Sequence, residues 1–408
     1  MSVEKPVPKR FIGLDVHKHY LIAIGVDADL HQVLGPQRVQ LQQLESWMDK
    51  TLTPEDALVL EMTTNTWQVY DELLPHAHSV TVVHPPHVAL ITRSQVMTDK
   101  IAALILARLL AKGLLVGIWV PSPAVRDQRA LVAQRRKMTS LATQAKNRLH
   151  SLLHRHHLLP PAGQLFSPDK RSWWQSLPLS PLEQAMLQSD LDTLDFAQRQ
   201  IDRLEQAMLD LAAQDERTPL LIQLPGFSLV NALTVLAAIG KIERFPTAKH
   251  LVGYAGLGAR VHDSGQTTRT GRITKSGRRD LRHALVEAAQ TAVLTHPHWK
   301  AELARLEPRT GRNKAIVAIA RKLLIAVWHV LSKGMADRFA VDELVARKLH
   351  TFSDRLCLRR RPAGLSTAAF VRQQLDRLGL GAQITQLPRG KLKSPLRLPP
   401  SSLTPQRN

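Results

Sequence analysis

Three carboxylates and one serine carry the chemistry this sequence can do. Asp15 closes the apolar run FIGLD, Glu61 closes ALVLE, and Asp99 follows a third such run, SVTVV, at the start of a helical pattern. Acids at the ends of neighbouring strands and at a nearby helix start can converge on one point. An all-oxygen ligand set suits Mg²⁺ or Mn²⁺, and such ions polarise a phosphodiester and stabilise its attacking and leaving oxygens. A carboxylate at the end of an apolar strand is costly without a partner. Taken singly, each acid is more often a cap or a surface residue, and the helix dipole alone favours Asp99 in a first turn. The ordered triple is what points to a site. One turn after Asp99, on the same helix face, a fourth ligand would fall on Ala102, which cannot bind metal.

The serine stands far along the chain, in HDSGQTTRTGRITKSGRRD. Asp263 and Gly265 flank Ser264, and Arg269, Arg272, Lys275, Arg278 and Arg279 follow it closely. Gly271 and Gly277 would let the backbone approach a phosphate, and arginines clamp phosphoryl groups and stabilise developing charge. A serine among them is a nucleophile if something activates it. A Ser-Gly in a basic loop is more often a turn residue that touches phosphate, and spacing alone does not separate Ser264 from Ser276.

The elements that must position these groups follow from periodicity. FIGLDV and YLIAIGV read as strands separated by the polar HKH. HQVLGPQRVQL supplies a third, and DALVLEM and SVTVVHP are apolar, β-rich runs on either side of a helical TWQVYDELL. This first block, residues 10–125, is an α/β layer domain. Residues 126–215 are helical. Leu131, Met138, Ala145 and Leu152 recur every seventh residue, with Leu141 and Leu149 beside them. Leu187, Leu194, Ile201 and Met208 form a second such series, with Leu191, Leu204 and Leu211 on the other seam. Sustained heptads predict an antiparallel coiled-coil arm, and an ordinary pair of amphipathic helices is nearly as good a reading. Residues 216–335 are helical around one Gly-rich basic loop. There LIQLPGFSLVNALTVLAAIG resembles a helix-hairpin-helix, whose turn amides and helix N-terminus bind phosphate. Ser228 sits where such hairpins often carry a second glycine. Residues 336–408 form a basic C-terminal extension whose last stretch, LPRGKLKSPLRLPPSSLTPQRN, reads as flexible or extended.

Bulk properties agree with a nucleic-acid partner. The 408 residues carry 55 Lys+Arg against 34 Asp+Glu, a formal charge of +21, and an excess of that size suggests a polyanion. The single cysteine, Cys357, excludes an intrachain disulfide and any zinc site built on cysteines. MSVEKPVPKR lacks the apolar core of a signal peptide. The most apolar helix, IVAIARKLLIAVWHVL, is interrupted by Arg321 and Lys322 and reads as too short to span a bilayer. No membrane role and a cytoplasmic location are expected.

Six stretches in this order resemble the DEDD-type insertion-sequence transposases of the IS-one-ten family, in its IS-eleven-eleven subgroup of recombinases guided by a bridge RNA. They are FIGLDVHK, LVLEMTTNTW, VHPPHVALITRSQVMTDKIAALILARLL, LIQLPGFSLVNALTVLAAIG, YAGLGARVHDSGQTTRTGRITKSGRRDLRHAL and NKAIVAIARKLLIAVWHVL. The resemblance spans residues 10–335. It implies a RuvC-like, RNase H-type domain, a coiled-coil arm and a mostly helical transposase domain with a catalytic serine. Asp15, Glu61 and Asp99 match the first three family acids, the fourth falls on Ala102, and Ser264 matches the nucleophile. The implied chemistry is serine attack on a DNA phosphodiester, assisted by Mg²⁺ or Mn²⁺. The implied partners are a noncoding RNA that pairs with target and donor DNA, and further copies of the chain, as a dimer and a synaptic tetramer. Base pairing would then choose the sequence while protein reads backbone and shape, as in other RNA-guided systems.

Ala102 departs from that pattern and implies impaired cleavage with folding and RNA binding kept. An introduced Asp→Ala change that traps a complex is favoured, because the flanking TDKI and ALILARLL stay regular. A natural copy that has lost activity, or works with three ligands, is the competing explanation. Two other functions stand beside the recombinase: a metal-dependent RuvC-like nuclease, and a nucleic-acid-binding transposase derivative without chemistry.

Overall fold

A computed structural model describes residues 7–91, 98–264, 267–389 and 394–403. The chain divides into two compact units, residues 1–122 and 123–408.

In the first unit the alternating apolar runs become a mixed five-stranded sheet. β1 (Arg10–Val16), β2 (Tyr20–Val26) and β3 (Gln32–Gln40) form an antiparallel meander. α1 (Leu44–Thr51) leads to β4 (Asp56–Glu61), and α2 (Thr66–Leu73) leads to β5 (Ser79–Val83). The order is β3-β2-β1-β4-β5, with β1, β4 and β5 parallel. Arg10, at the start of β1, fixes the far end of the sheet. Its Nε donates to Oδ1 of the fully buried Asp56 at 2.7 Å, so a charge that would be costly alone is paired.

α3 (Pro85–Ile91) and α4 (Asp99–Ala111) follow β5. α4 is hydrophobic on more than one side, as a helix pressed into a sheet must be. Ala103 and Ala107 are fully buried and Leu106 nearly so. The approach is set by Gly13 in the middle of β1. A Cβ there would lie 2.0 Å from the Ala103 carbonyl oxygen and 2.7 Å from the Ala107 nitrogen. The helix backbone therefore rests on the sheet backbone at a distance only glycine permits. Thr98 starts the helix as N-cap, its side chain accepting from the Ile101 amide at 3.3 Å.

The second unit is mostly helical. α5 (Pro123–Arg155) and, beyond the short α6 (Arg171–Gln175), α7 (Pro181–Gln214) are long helices that run antiparallel. The ion pairs Arg135–Glu205 at 2.6 Å and Arg148–Asp190 at 2.6 Å fix that direction. The heptad positions face inward: Met138, Ala145, Leu152, Leu187, Leu194, Ile201 and Met208 are buried. The intervening connection folds back on them through Trp174, which is 1 % exposed and donates its indole N–H to the Leu165 carbonyl at 3.0 Å.

α8 (Arg217–Ile222) turns through Pro225-Gly226 into α9 (Leu229–Ile239), which is apolar almost all round and buried in the centre of the unit. The flanks of that turn, Leu224, Pro225 and Phe227, are buried as well. α10 (Ala248–Tyr254) precedes an antiparallel hairpin, β6 (Ala259–Ser264) and β7 (Thr267–Ile273), where the sequence reads as a loop. The β-branched residues Val261, Thr267, Thr268, Thr270 and Ile273 make the strands. α11 (Arg279–Thr295) packs against α9, and α12 (Pro297–Thr310) and α13 (Arg312–Lys333) pack against α11 and each other in the same core. α13 extends past the apolar run seen in sequence and, by length and composition, could cross a membrane. Its Ala315, Ile319, Leu323, Leu324 and Val327 are fully buried against protein, so it is a core helix here.

The C-terminal extension is packed rather than loose over most of its described length. α14 (Asp342–Arg360) and α15 (Thr367–Leu378) add Leu349, Phe352, Phe370 and Leu375 to the same core. Short strands β8 (Gln386–Leu387) and β9 (Leu396–Arg397) pair beyond them. Arg372, 5 % exposed, donates to the carbonyls of Gly381 at 2.9 Å and Pro399 at 2.9 Å, and to that of Ile384. The described residues of the last stretch, 387–389 and 394–403, include a short paired strand and are tied down by hydrogen bonds that composition does not announce.

Gly13→Ala tests the helix-on-sheet contact. Overpacking of a fitted interior costs about 1–3 kcal/mol, and a methyl facing backbone cannot be relieved by a rotamer change. The unfolding free energy from urea titration is expected to fall by about 2–3 kcal/mol, seen as a lower midpoint. Gly35→Ala is the control, because a Cβ at position 35 would meet nothing nearer than Gln32 Nε2 at 3.9 Å. Equal midpoints for both variants would refute the contact.

Candidate active site

Parallel pairing of β1 with β4 sets Leu14 opposite Leu60, so Asp15 and Glu61 leave the same end of the sheet side by side. α4, seated by Gly13, begins at that end with Asp99. Asp15, His17 and Asp99 offer ligand atoms that lie within 4.8 Å of one another. His17 Nε2 is 3.3 Å from Asp15 Oδ2 and 3.2 Å from Asp99 Oδ2, bridging the two carboxylates. Tyr20 donates its hydroxyl to the same Asp99 oxygen at 3.0 Å. The His17 ring stacks on Tyr20 with centroids 4.6 Å apart, and the Arg38 guanidinium lies 3.9 Å over the Tyr20 ring. Asn65 Nδ2 donates to the His17 carbonyl at 3.0 Å, tying the end of β1 to the turn after β4. Thr66 donates to the Glu61 carbonyl at 3.2 Å.

Electrostatics follow from this crowding. Burial pushes the Asp15 carboxyl above its ordinary range, His17 opposes the rise and the facing Asp99 carboxylate adds to it. Burial also raises Glu61, helped by the charge of Asp15. The hydrogen bond to Asp99 raises the Tyr20 phenol. Half-buried like charges are what a divalent cation relieves, so the donor set fits one. Ala102 lies in the first turn of α4, its amide donating to the Thr98 carbonyl at 2.8 Å.

Of the anticipated residues, Asp15 and Asp99 come together with His17, and Glu61 ends the neighbouring strand, near enough to feel the charge of Asp15 but outside that group. His17, Tyr20 and Arg38 are additions that the sequence reading passed over. The signal for His17 was the polar HKH directly after a strand.

In the second unit Ser264 is the last residue of β6, paired across the hairpin with Thr267. The side chains of residues 262–270, Ser264 and Arg269 among them, lie outside the described residues. Arg272, Lys275 and Arg279 are exposed beyond the hairpin. Arg278 instead turns inward, its Nε donating to Asp280 Oδ1 at 3.0 Å. Burial works against the Asp280 carboxylate, but the Arg278 hydrogen bonds prevail and hold it below its ordinary range. Gly277 also has a task different from approaching phosphate. Its φ is +118°, and a Cβ would lie 2.2 Å from the Tyr254 carbonyl oxygen, so it seats this turn against the end of α10. Ser276 is exposed on the same turn.

Comparison with known proteins bears on both units. Residues 12–158 match the DEDD transposase model of the IS110 type, and residues 218–304 match the model for the transposase IS116/IS110/IS902 family. The transposase for insertion sequence element IS1111A of Coxiella burnetii is 24% identical over 341 residues, covering 79% of this chain and 90% of that protein. The pilin gene-inverting protein of Moraxella bovis is 26% identical over 340 residues, covering 80% of this chain and 97% of that protein. The first unit therefore carries a RuvC-like DEDD domain of the class that handles DNA strands with divalent metal. The chain belongs to the IS110/IS116 family of transposases, enzymes of DNA recombination.

The carboxylate cluster yields a stability prediction. Asp15 and Glu61 are raised on folding, so the folded state holds their protons more tightly than the unfolded chain. Their contribution is present below the ordinary carboxylate range and lost as pH rises through the raised values. At neutral pH the cation-free cluster is therefore a cost, and Asp15→Asn is expected to raise the melting temperature. Mg²⁺ or Mn²⁺ is expected to stabilise the unaltered chain, by about 2.7 kcal/mol at a hundredfold excess over Kd, and Asp15→Asn is expected to erase most of that gain. Equal cation-induced shifts in both proteins, followed by scanning calorimetry, would remove the cluster as a metal site.

Proposed function

We propose that this chain is an RNA-guided DNA recombinase that uses Ser264 as nucleophile and is impaired by Ala102. The observation that carries this reading is the convergence of Asp15, His17 and Asp99, with Glu61 ending the strand beside Asp15, in a chain of a transposase family. The serine assignment and the RNA guide rest on the resemblance of YAGLGARVHDSGQTTRTGRITKSGRRDLRHAL and the other family stretches. On this reading Ser264 Oγ attacks the phosphorus of a DNA phosphodiester and loses its proton. The bond to the 3′ oxygen breaks, that oxygen leaves as a hydroxyl, and a phosphoserine link remains. A divalent cation, Mg²⁺ or Mn²⁺, would stabilise the charge on the phosphoryl oxygens.

Asp15, Glu61 and Asp99 would hold that cation. His17 keeps Asp15 and Asp99 at their spacing, and Tyr20 orients the Asp99 carboxylate. Arg272, Lys275 and Arg279, exposed beyond the serine hairpin, suit the DNA or RNA backbone. The pilin gene-inverting relative is named for inverting a gene, which agrees with strand exchange rather than simple hydrolysis. The partners are a noncoding RNA, donor and target DNA in the cytoplasm, and further copies of the chain.

Ala102 favours a second reading, a transposase derivative that binds nucleic acid without cutting it. The two separate in one experiment. The chain and its Ala102→Asp variant are incubated with Mg²⁺, donor and target DNA, and RNA transcribed from the flank of the element. Covalent protein–DNA adducts are resolved on a denaturing gel. We expect an adduct at least about tenfold stronger in Ala102→Asp, the order one lost carboxylate implies, and absent in the Ala102→Asp, Ser264→Ala double variant. DNA cutting without any adduct would replace the recombinase by a metal-dependent nuclease. RNA binding with neither cutting nor adduct would leave the binding derivative.

A further inference from the structure

A second site lies in the helical unit, where α12 and α13 meet the segment leading to α14. A cavity of about 630 Å³ there is lined by residues that include His298, Trp299, Lys333, Asp337, Arg338 and Phe339. The His298 ring stacks on Phe339 with centroids 3.6 Å apart and planes 16° from parallel. Trp299 meets both rings edge-on, at 4.8 Å and 6.2 Å. The Trp299 side chain is 2 % exposed, yet its indole N–H, the only hydrogen-bonding group it has, finds no partner. A buried donor left unpaired costs about 1–3 kcal/mol, and a ligand carrying an acceptor would remove that cost.

Positive charge surrounds the aromatic group. Lys333 and Arg338 are exposed, and the Arg338 guanidinium lies 4.4 Å over the Phe339 ring. The one acid of the lining, Asp337, accepts from the Phe339 amide at 3.3 Å and so shapes the turn. The turn is fixed again from below, where His296 Nε2 lies 3.0 Å from the Phe339 carbonyl. Stacked rings, a waiting N–H donor and flanking cations form the combination that takes an unpaired nucleotide: the base stacks, its edge accepts, and its phosphates meet lysine and arginine.

We infer that this cavity binds a base of single-stranded nucleic acid, at a site separate from the carboxylate cluster and from the serine hairpin. The inference rests on the reading of the chain as a nucleic-acid enzyme, but it concerns binding without chemistry. Its test is therefore run in EDTA, where no cutting occurs. Fluorescent twelve-residue oligonucleotides of one sequence, as RNA and as DNA, are titrated against the full chain, Phe339→Leu and His298→Ala. In parallel the unaltered chain is photocrosslinked to the same strands carrying 5-iodouracil.

Loss of a stacked base is expected to weaken binding roughly tenfold in both variants, with the crosslink mapping to the peptides around Trp299 and Phe339. Greater loss on the RNA strand would assign the site to RNA, and greater loss on the DNA strand to DNA. Should Phe339→Leu fail to fold by circular dichroism, His298→Ala and the crosslink decide. Unchanged affinity in the folded variants, with crosslinks elsewhere, would overturn this site and leave the recombinase reading intact. An unaltered chain that binds neither strand would overturn both.

Discussion

The carboxylate cluster depends on a contact made by no carboxylate. Gly13 lets the backbone of α4 settle onto β1, and any side chain at that position would strike the Ala103 carbonyl. Because α4 lies so close, its first residue comes within bridging distance of a group on β1. A helix held one side-chain layer further out, at the usual spacing of a helix over a sheet, would carry Asp99 away from Asp15. The ligand geometry is thus inherited from a backbone approach, and the identity of residue 13 matters as much to it as the identity of the acids.

The same closeness creates the electrostatic conflict that gives the site its use. Burial raises both Asp15 and Glu61, and like charge adds to it, from Asp99 on Asp15 and from Asp15 on Glu61. Protein groups answer part of that conflict: His17 between Asp15 and Asp99, and the Tyr20 hydroxyl on Asp99. A histidine is a weak, pH-dependent counter-charge, and a divalent ion is a stronger one. On the proposed reading, a carboxylate at position 102 would add to the repulsion in the cation-free chain and to the affinity in the loaded one, and alanine there would favour the unit without metal at the expense of ligation.

Much of this was legible in the sequence because short-range patterns carry it. Strands β1, β2, β4 and β5 are built on short apolar runs, and the heptads of α5 and α7 name their own buried faces. Asp15 and Glu61 could be placed because each ends such a run. The serine hairpin was not legible as strands: its glycines and arginines read as loop, and its pairing is a tertiary choice that favours the threonines. The packing of the C-terminal region was also hidden. It depends on Arg372 reaching carbonyls at 381, 384 and 399, contacts that no local period encodes. His17 was visible but unremarked, since a polar triplet after a strand usually marks a turn.

Formal charge, the bluntest sequence signal, needs the most reinterpretation. The excess of +21 counts every arginine as available to a polyanion, yet several serve the fold. Arg129 donates to the carbonyls of Ala237 and Ala238, Arg244 to that of Ile239, and Arg217 to that of Gly240. Together they neutralise the negative end of the α9 dipole, which a count of ionised side chains never includes. Arg372 and Arg278 are likewise spent on carbonyls and on Asp280. The charge left for nucleic acid is smaller than the formula suggests. Among the described residues, exposed cations stand beyond the serine hairpin, at Arg272, Lys275 and Arg279, and beside the aromatic cavity, at Lys333 and Arg338, while others, such as Lys18, Lys137, Lys241 and Arg321, are spread over the surface. Spread cations hold a phosphate backbone without regard to sequence, so a chain that chose DNA by base pairing would leave that choice to the paired strand.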